Sequence, residues 1–272
     1  MSGGRGFGVS AGLAVATAAR AESEAARRGR LAKWPARGPK GRRVGMLMPV
    51  SSAQSEAMKR IVTLVHVVLK EHTFRKRGNG FNHEVEPGCV HVVRFQMGAF
   101  NPPGTVEIPG LRPNLYGRFT VNLGVYLDAV REQTRFPATR PGFINDYNCH
   151  LRQRLGFLMD PPADRWWPLD SPDEVGPLVR DLIVNVGLAW LHGLSCQDQI
   201  LSVLETAPPG SRRISGGPDR LLATQLRLAR GEKARAQDNF TDWVHSGSLT
   251  SSHQNYLAQM AAEYGLSMDA AS

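Results

Sequence analysis

Residues 118–127 read RFTVNLGVYL, and alternation this strict leaves a chain few options. Side chains on a strand point to opposite faces with a period of two. Phe119, Val121, Leu123 and Val125 therefore share one face, and Arg118, Thr120, Asn122 and Gly124 share the other. A strand divided in this way belongs to an antiparallel sheet with one face in the core and one polar face in water. Two further runs support the same sheet. Residues 80–86 and 89–98 alternate, are rich in β-branched residues, and are bounded by Gly78, Gly80 and the pair Pro87-Gly88. In the second run His91, Val93, Phe95 and Met97 oppose Val92, Arg94 and Gln96.

A fourth strand is predicted within DYNCHLRQRLGF, residues 146–157. On a regular strand Cys149, Leu151, Gln153 and Leu155 lie on one face, and His150, Arg152 and Arg154 on the other. Ahead of the sheet, Ala57, Ile61, Leu64, Val65 and Val68 recur at helical spacing. With Ser51 or Ser52 as cap and Glu56 in the first turn, they predict a helix over 52–72. From Pro172 the pattern is helical again: 172–194 and 196–205, then two or three helices after the proline- and glycine-rich stretch 206–219. The expected fold is α+β. An N-terminal helix packs on a short, about four-stranded antiparallel sheet, and a mostly helical C-terminal region follows. The expected division is a tail at 1–45, an α+β body at 46–205, a linker at 206–219 and a helical hairpin at 220–266.

Charge separates the tail from the body. Of the 272 residues, positions 1–45 carry ten Lys/Arg and two Asp/Glu, whereas the remainder carries 23 and 22. The net +9 is thus a property of a Gly/Ala/Arg-rich tail whose composition predicts disorder. The nearly neutral body lacks the basic excess of a nucleic-acid binder. In the tail, GFGVSA and GVSAG match a dinucleotide fingerprint and a nucleophile elbow by letter only, since no strand precedes them. Met46 and Met48 stand where composition changes, which suggests that translation begins there. A signal peptide centred on FGVSAGLAVATAA is the competing reading. Three widely spaced cysteines make no disulfide framework and suggest the cytoplasm. No apolar run reaches transmembrane length, so no membrane partner is expected.

Five segments taken in order carry a resemblance: FRKRGNGF, VHVVRFQMG, FTVNLGVYL, CHLRQRLGF and WWPLD. They resemble a bacterial family known only as domain of unknown function 4304, over roughly residues 52–170. The resemblance implies an α+β domain with a short antiparallel sheet. It transfers no catalytic residue.

The leading candidate site is an anion-binding face of Arg94, Gln96, Asn122, His150, Arg152 and Arg154. Guanidinium forks suit carboxylates and phosphates, and amides orient a ligand. Arg131, Arg135 and Arg140, in the following loop, stand ready to close over it. The ordinary alternative is a solvated sheet face, where Arg and Gln are common. A zinc site from Cys89, His91, Cys149 and His150 is disfavoured, because neighbours on a strand diverge. The same geometry argues against Cys149–His150 as nucleophile and base; Cys196 near His192 lacks an orienting carboxylate by pattern. Trp166-Trp167 suits either a partner contact or, more often, the end of a sheet. No catalytic residue, metal or cofactor is expected. The expected function is a binding module for an acidic protein or small anionic ligand. The alternative is a hydrolase or transferase acting on a phosphate-bearing substrate, with His150, His91 or Asp146 as base.

Overall fold

The apolar spacing from Ala57 onward closes one face of a helix, α1 (Ser51–Glu71). Met58, Ile61, Val62, Val65 and Leu69 are all buried along it. The structure is a computed structural model. It describes residues 51–98, 114–133, 139–208, 214–215, 218–246 and 251–268, all within the unit Pro49–Ser272. The readings of the tail, of Arg135 and of the Ser51 and Ser52 side chains lie outside the described residues.

After α1 the chain forms β1 (Arg75–Arg77), β2 (Gly80–Glu86), β3 (Cys89–Met97) and β4 (Arg118–Leu127). The short helix α2 (Asp128–Glu132) follows, then a 3-10 turn (Asp146–Asn148), β5 (Leu151–Arg154), a second 3-10 turn (Leu155–Leu158) and β6 (Trp167–Pro168). The strands form one antiparallel sheet in the order β1-β2-β3-β4-β5, and β6 pairs with the start of β4. Two short strands thus join the four that alternation picks out. The fold is α+β.

The helices are α3 (Pro172–Leu182), which passes through a wider π turn (Ile183–Gly187) into α4 (Leu188–His192), then α5 (Gln197–Thr206). There follow α6 (Asp219–Ala229), α7 (Lys233–His245) and α8 (Ser251–Tyr264). At Gly176 a Cβ would stand 3.1 Å from Leu64 Cδ2, so the missing side chain lets α3 lie close on α1. One hydrophobic cluster joins α1 to Val93, Phe95, Phe119, Val121 and Leu123 of the sheet, to Val179 and Ile183, and to Leu222 and Leu226 of α6. The core therefore continues past residue 205 and across the stretch whose composition suggests a linker. The Arg227 guanidinium of α6 reinforces this by holding both oxygens of Glu205 on α5, at 2.8 and 2.7 Å.

The expectation of an open second face on β4 is overturned. Every residue from Phe119 to Leu127 is buried. The alternation itself holds, but residues 139–150 fold back over the polar side and build a second cluster of Val90, Val92, Tyr126, Ile144 and Cys149. Asn82 holds this cover as a strand neighbour would. Its Nδ2 donates to Ile144 O at 2.9 Å, and its Oδ1 accepts from Ile144 N at 2.8 Å.

Gly124 is where the cover meets the sheet. A Cβ there would lie 2.5 Å from Cys149 Sγ. Gly124→Ala is therefore expected to destabilise the fold by about 1–3 kcal/mol through overpacking. Urea unfolding would measure this, and the loss should shrink in a Cys149→Ala background because the two positions touch.

Candidate functional site

The site is built on one rung of the sheet. Arg94 of β3, Asn122 of β4 and Arg154 of β5 are register partners, flanked by the pairs Gln96–Thr120 and Gly124–Arg152. Asn122 sits in a strand buried on both faces, so its amide must find partners there. It finds two: Nδ2 donates to Gln96 Oε1 at 2.8 Å and to Asp146 Oδ2 at 2.7 Å. Asp146 is presented by the 3-10 turn before β5. Reciprocal side-chain bonds between Asn145 and Asn148 brace that turn. Arg94 closes the group, with Nε 3.4 Å from Asp146 Oδ1 and Nη1 donating to Asn145 Oδ1 at 2.7 Å.

Arg154 is held in two ways. Its Nη1 pairs with Asp164, and its guanidinium lies 5.3 Å from the centre of the Trp166 ring. Arg152, two residues earlier on the same face, is exposed. Its side chain has no hydrogen-bond or ion-pair partner among the described residues. Together with Gln96, Asn122, Asp146, Gln153 and Phe157, these two arginines line a cleft of about 370 Å³. Gln153 Oε1 accepts the backbone N–H of Arg154. The groups left facing the cleft are the Arg152 fork and the amide of Gln96, which shares the face of Asn122 and Arg154; the Asp146 carboxylate also lines it, already engaged by Arg94 and Asn122.

Five of the six expected residues gather here, and His150 does not. The 3-10 turn ends on Cys149, so the strand begins only at Leu151 and the period of two does not extend back. Cys149 then joins the second-face cluster and not the face of Leu151 and Leu155. His150 takes the β4 edge, where its Nδ1 accepts the Leu127 N–H at 3.1 Å. It lines a separate hollow of about 210 Å³ with Ser215 and Pro218.

Arg131 and Arg140 do not close over the cleft either. They converge on Asp128, at 3.0 and 2.8 Å, and Arg140 also pairs with Glu84 at 2.8 Å. Cys89 and His91 belong to the main-core side, so the four zinc candidates divide between the two faces of the sheet. The tryptophan pair also divides. Trp167 is buried 5.9 Å from Phe119, while Trp166 supports Arg154. Asn145, Phe157 and Asp164 carry no site signal in the sequence; Trp166 is legible only as half of a tryptophan pair, without its link to Arg154. Only Arg154 on the polar face hints that an acid and a ring wait beside it.

Desolvation lowers the pKa of His91, 1% exposed, and of His150 from the usual 6.5 to about 4. Burial also pushes the Cys89 thiol up to about 12 and the Cys149 thiol further up. The folded state thus holds both histidines neutral. Between pH 6.5 and 4 the unfolded chain binds more protons than the folded one. Their contribution to stability is complete above pH 6.5 and is lost as the pH falls towards 4. On the order of 2–3 kcal/mol should be lost for each. Urea midpoints at pH 7 and pH 4.5 would register the fall, and His150→Gln should flatten its slope.

With this geometry in place, comparison with known proteins adds one finding. Residues 65–192 match the family model described as Domain of unknown function (DUF4304). The match starts within α1, spans the whole cleft and ends at the last residue of α4, past the point where the sequence motifs stop. No curated protein and no solved structure matches the chain. Residues 65–192 are thus a domain of the DUF4304 family, and the cleft lies entirely inside it.

Proposed function

We propose that this protein is a binding module whose cleft over β4 and β5 takes an anionic group, on a small ligand or on an acidic partner protein. One observation carries the reading. Of the charged side chains that line the cleft, Asp146 is paired with Arg94 and Arg154 with Asp164, and Arg152 alone has no partner among the described residues. An exposed guanidinium with the Gln96 amide on the same face matches the oxygens of a carboxylate or phosphate.

Binding is favoured over acid–base catalysis by the state of the three candidate bases. The His150 lone pair at Nδ1 is taken by a backbone N–H. His91 is buried, with Nε2–H donating to Leu194 O at 3.1 Å. Asp146 reaches the cleft but is already engaged by Arg94 and Asn122. The three cysteines are unpaired, which suits the cytoplasm as the proposed location. No helix among the described residues is long and apolar enough to cross a membrane.

The reading is tested on protein purified gently from its host, as wild type and Arg152→Glu, by native mass spectrometry. The wild type is expected to carry an anionic mass or an acidic protein. The variant, folded by circular dichroism, should lose it through an affinity drop of about 10- to 100-fold. A folded variant that retains every bound species would overturn the proposal.

A further inference from the structure

The cleft offers more than a place for charge. Phe157 is 45% exposed and forms one of its walls. Its position is imposed by its neighbours in the second 3-10 turn. Leu155 is fully buried in the main core. At Gly156 a Cβ would stand 2.4 Å from Ala163 O and 2.8 Å from Arg165 N, so the turn is pressed against residues 163–165. With the turn anchored at both points, the Phe157 ring has no inward path and is presented to the cleft.

Volume points the same way. About 370 Å³ lies within the range of small-molecule sites and far exceeds what a bare oxyanion fills. An inorganic anion on Arg152 would leave the Phe157 ring wet.

We infer that the ligand is an amphipathic oxyanion: a carboxylate or phosphate group joined directly to an aromatic or aliphatic body. Its charged oxygens meet the Arg152 fork and the Gln96 amide, and its apolar body covers Phe157. This rests on the anion-binding reading and deepens it, by naming the part of the ligand that the charge does not see. The Arg154–Trp166 stack beside the cleft keeps the second guanidinium turned to its own partners, which leaves Arg152 as the anchor.

The test uses the full chain and two pairs of probes in calorimetric titrations: inorganic phosphate against phenyl phosphate, and acetate against phenylacetate. In at least one pair the aromatic member is expected to bind about tenfold tighter. Phe157→Ser should abolish that advantage and leave the affinity for the bare anion unchanged. The better pair identifies the head group. If the bare anions bind through Arg152 but the aromatic members bind no tighter, this inference is overturned and the anion-binding reading stands. If no probe binds and Arg152→Glu changes nothing, both fall. Because Phe157 is half exposed, the variant is expected to fold; saturation transfer from protein to phenyl protons in the wild type checks the ring contact without any substitution.

Discussion

A buried amide on the middle strand organises this protein's polar face. Asn122 lies on β4, a strand buried from Phe119 to Leu127, and its amide N–H groups are both taken by protein acceptors. A buried donor without a partner costs on the order of 1–3 kcal/mol, so partners must be brought to it. Gln96 comes from the adjacent strand, and Asp146 from a turn more than twenty residues away in the chain. Placing Asp146 there positions Arg94, since a carboxylate at this depth needs a cation beside it. One amide thereby fixes the acid, the first arginine and the floor of the cleft.

What remains unsatisfied follows from that arrangement. Arg94 and Arg154 each find a carboxylate, whereas Arg152, exposed on the end strand, pairs with none among the described residues. An end strand exposes alternate side chains to water even when the strand beside it is buried. The cover over β4, clamped by Asn82 and fitted to the missing side chain of Gly124, stops short of Arg152. The cleft is the gap between that cover and the second 3-10 turn.

Much of the sheet was legible because strand alternation is local. The faces of β3 and β4, the start of α1 and the positions of the four main strands can all be read from spacing. Two things were not. The burial of the polar face depends on Asn82 meeting Ile144 across 62 residues, a closure with no local signature. The misplacement of His150 came from extending a period of two through a 3-10 turn, which rotates the chain before β5 begins. Its imidazole then serves as an acceptor for a strand-end N–H and not as part of the ladder. The contacts of Asp164 and Trp166 with Arg154 went unread for the first reason, since nothing local says that they return to it.

The sequence by itself determined the α+β class, the order of the main strands and which arginines and amides share a face. All of these follow from side-chain period and from turn residues within a few positions of each other. The tertiary structure decided which of those polar groups would be satisfied by partners among the described residues. That outcome rests on the few contacts that long loops make when they fold back, and on whether each buried charge or amide meets its complement there. Arg152 and Arg154 are the same residue type on the same strand face; only the distant Asp164 and Trp166 separate a paired guanidinium from one with no partner among the described residues.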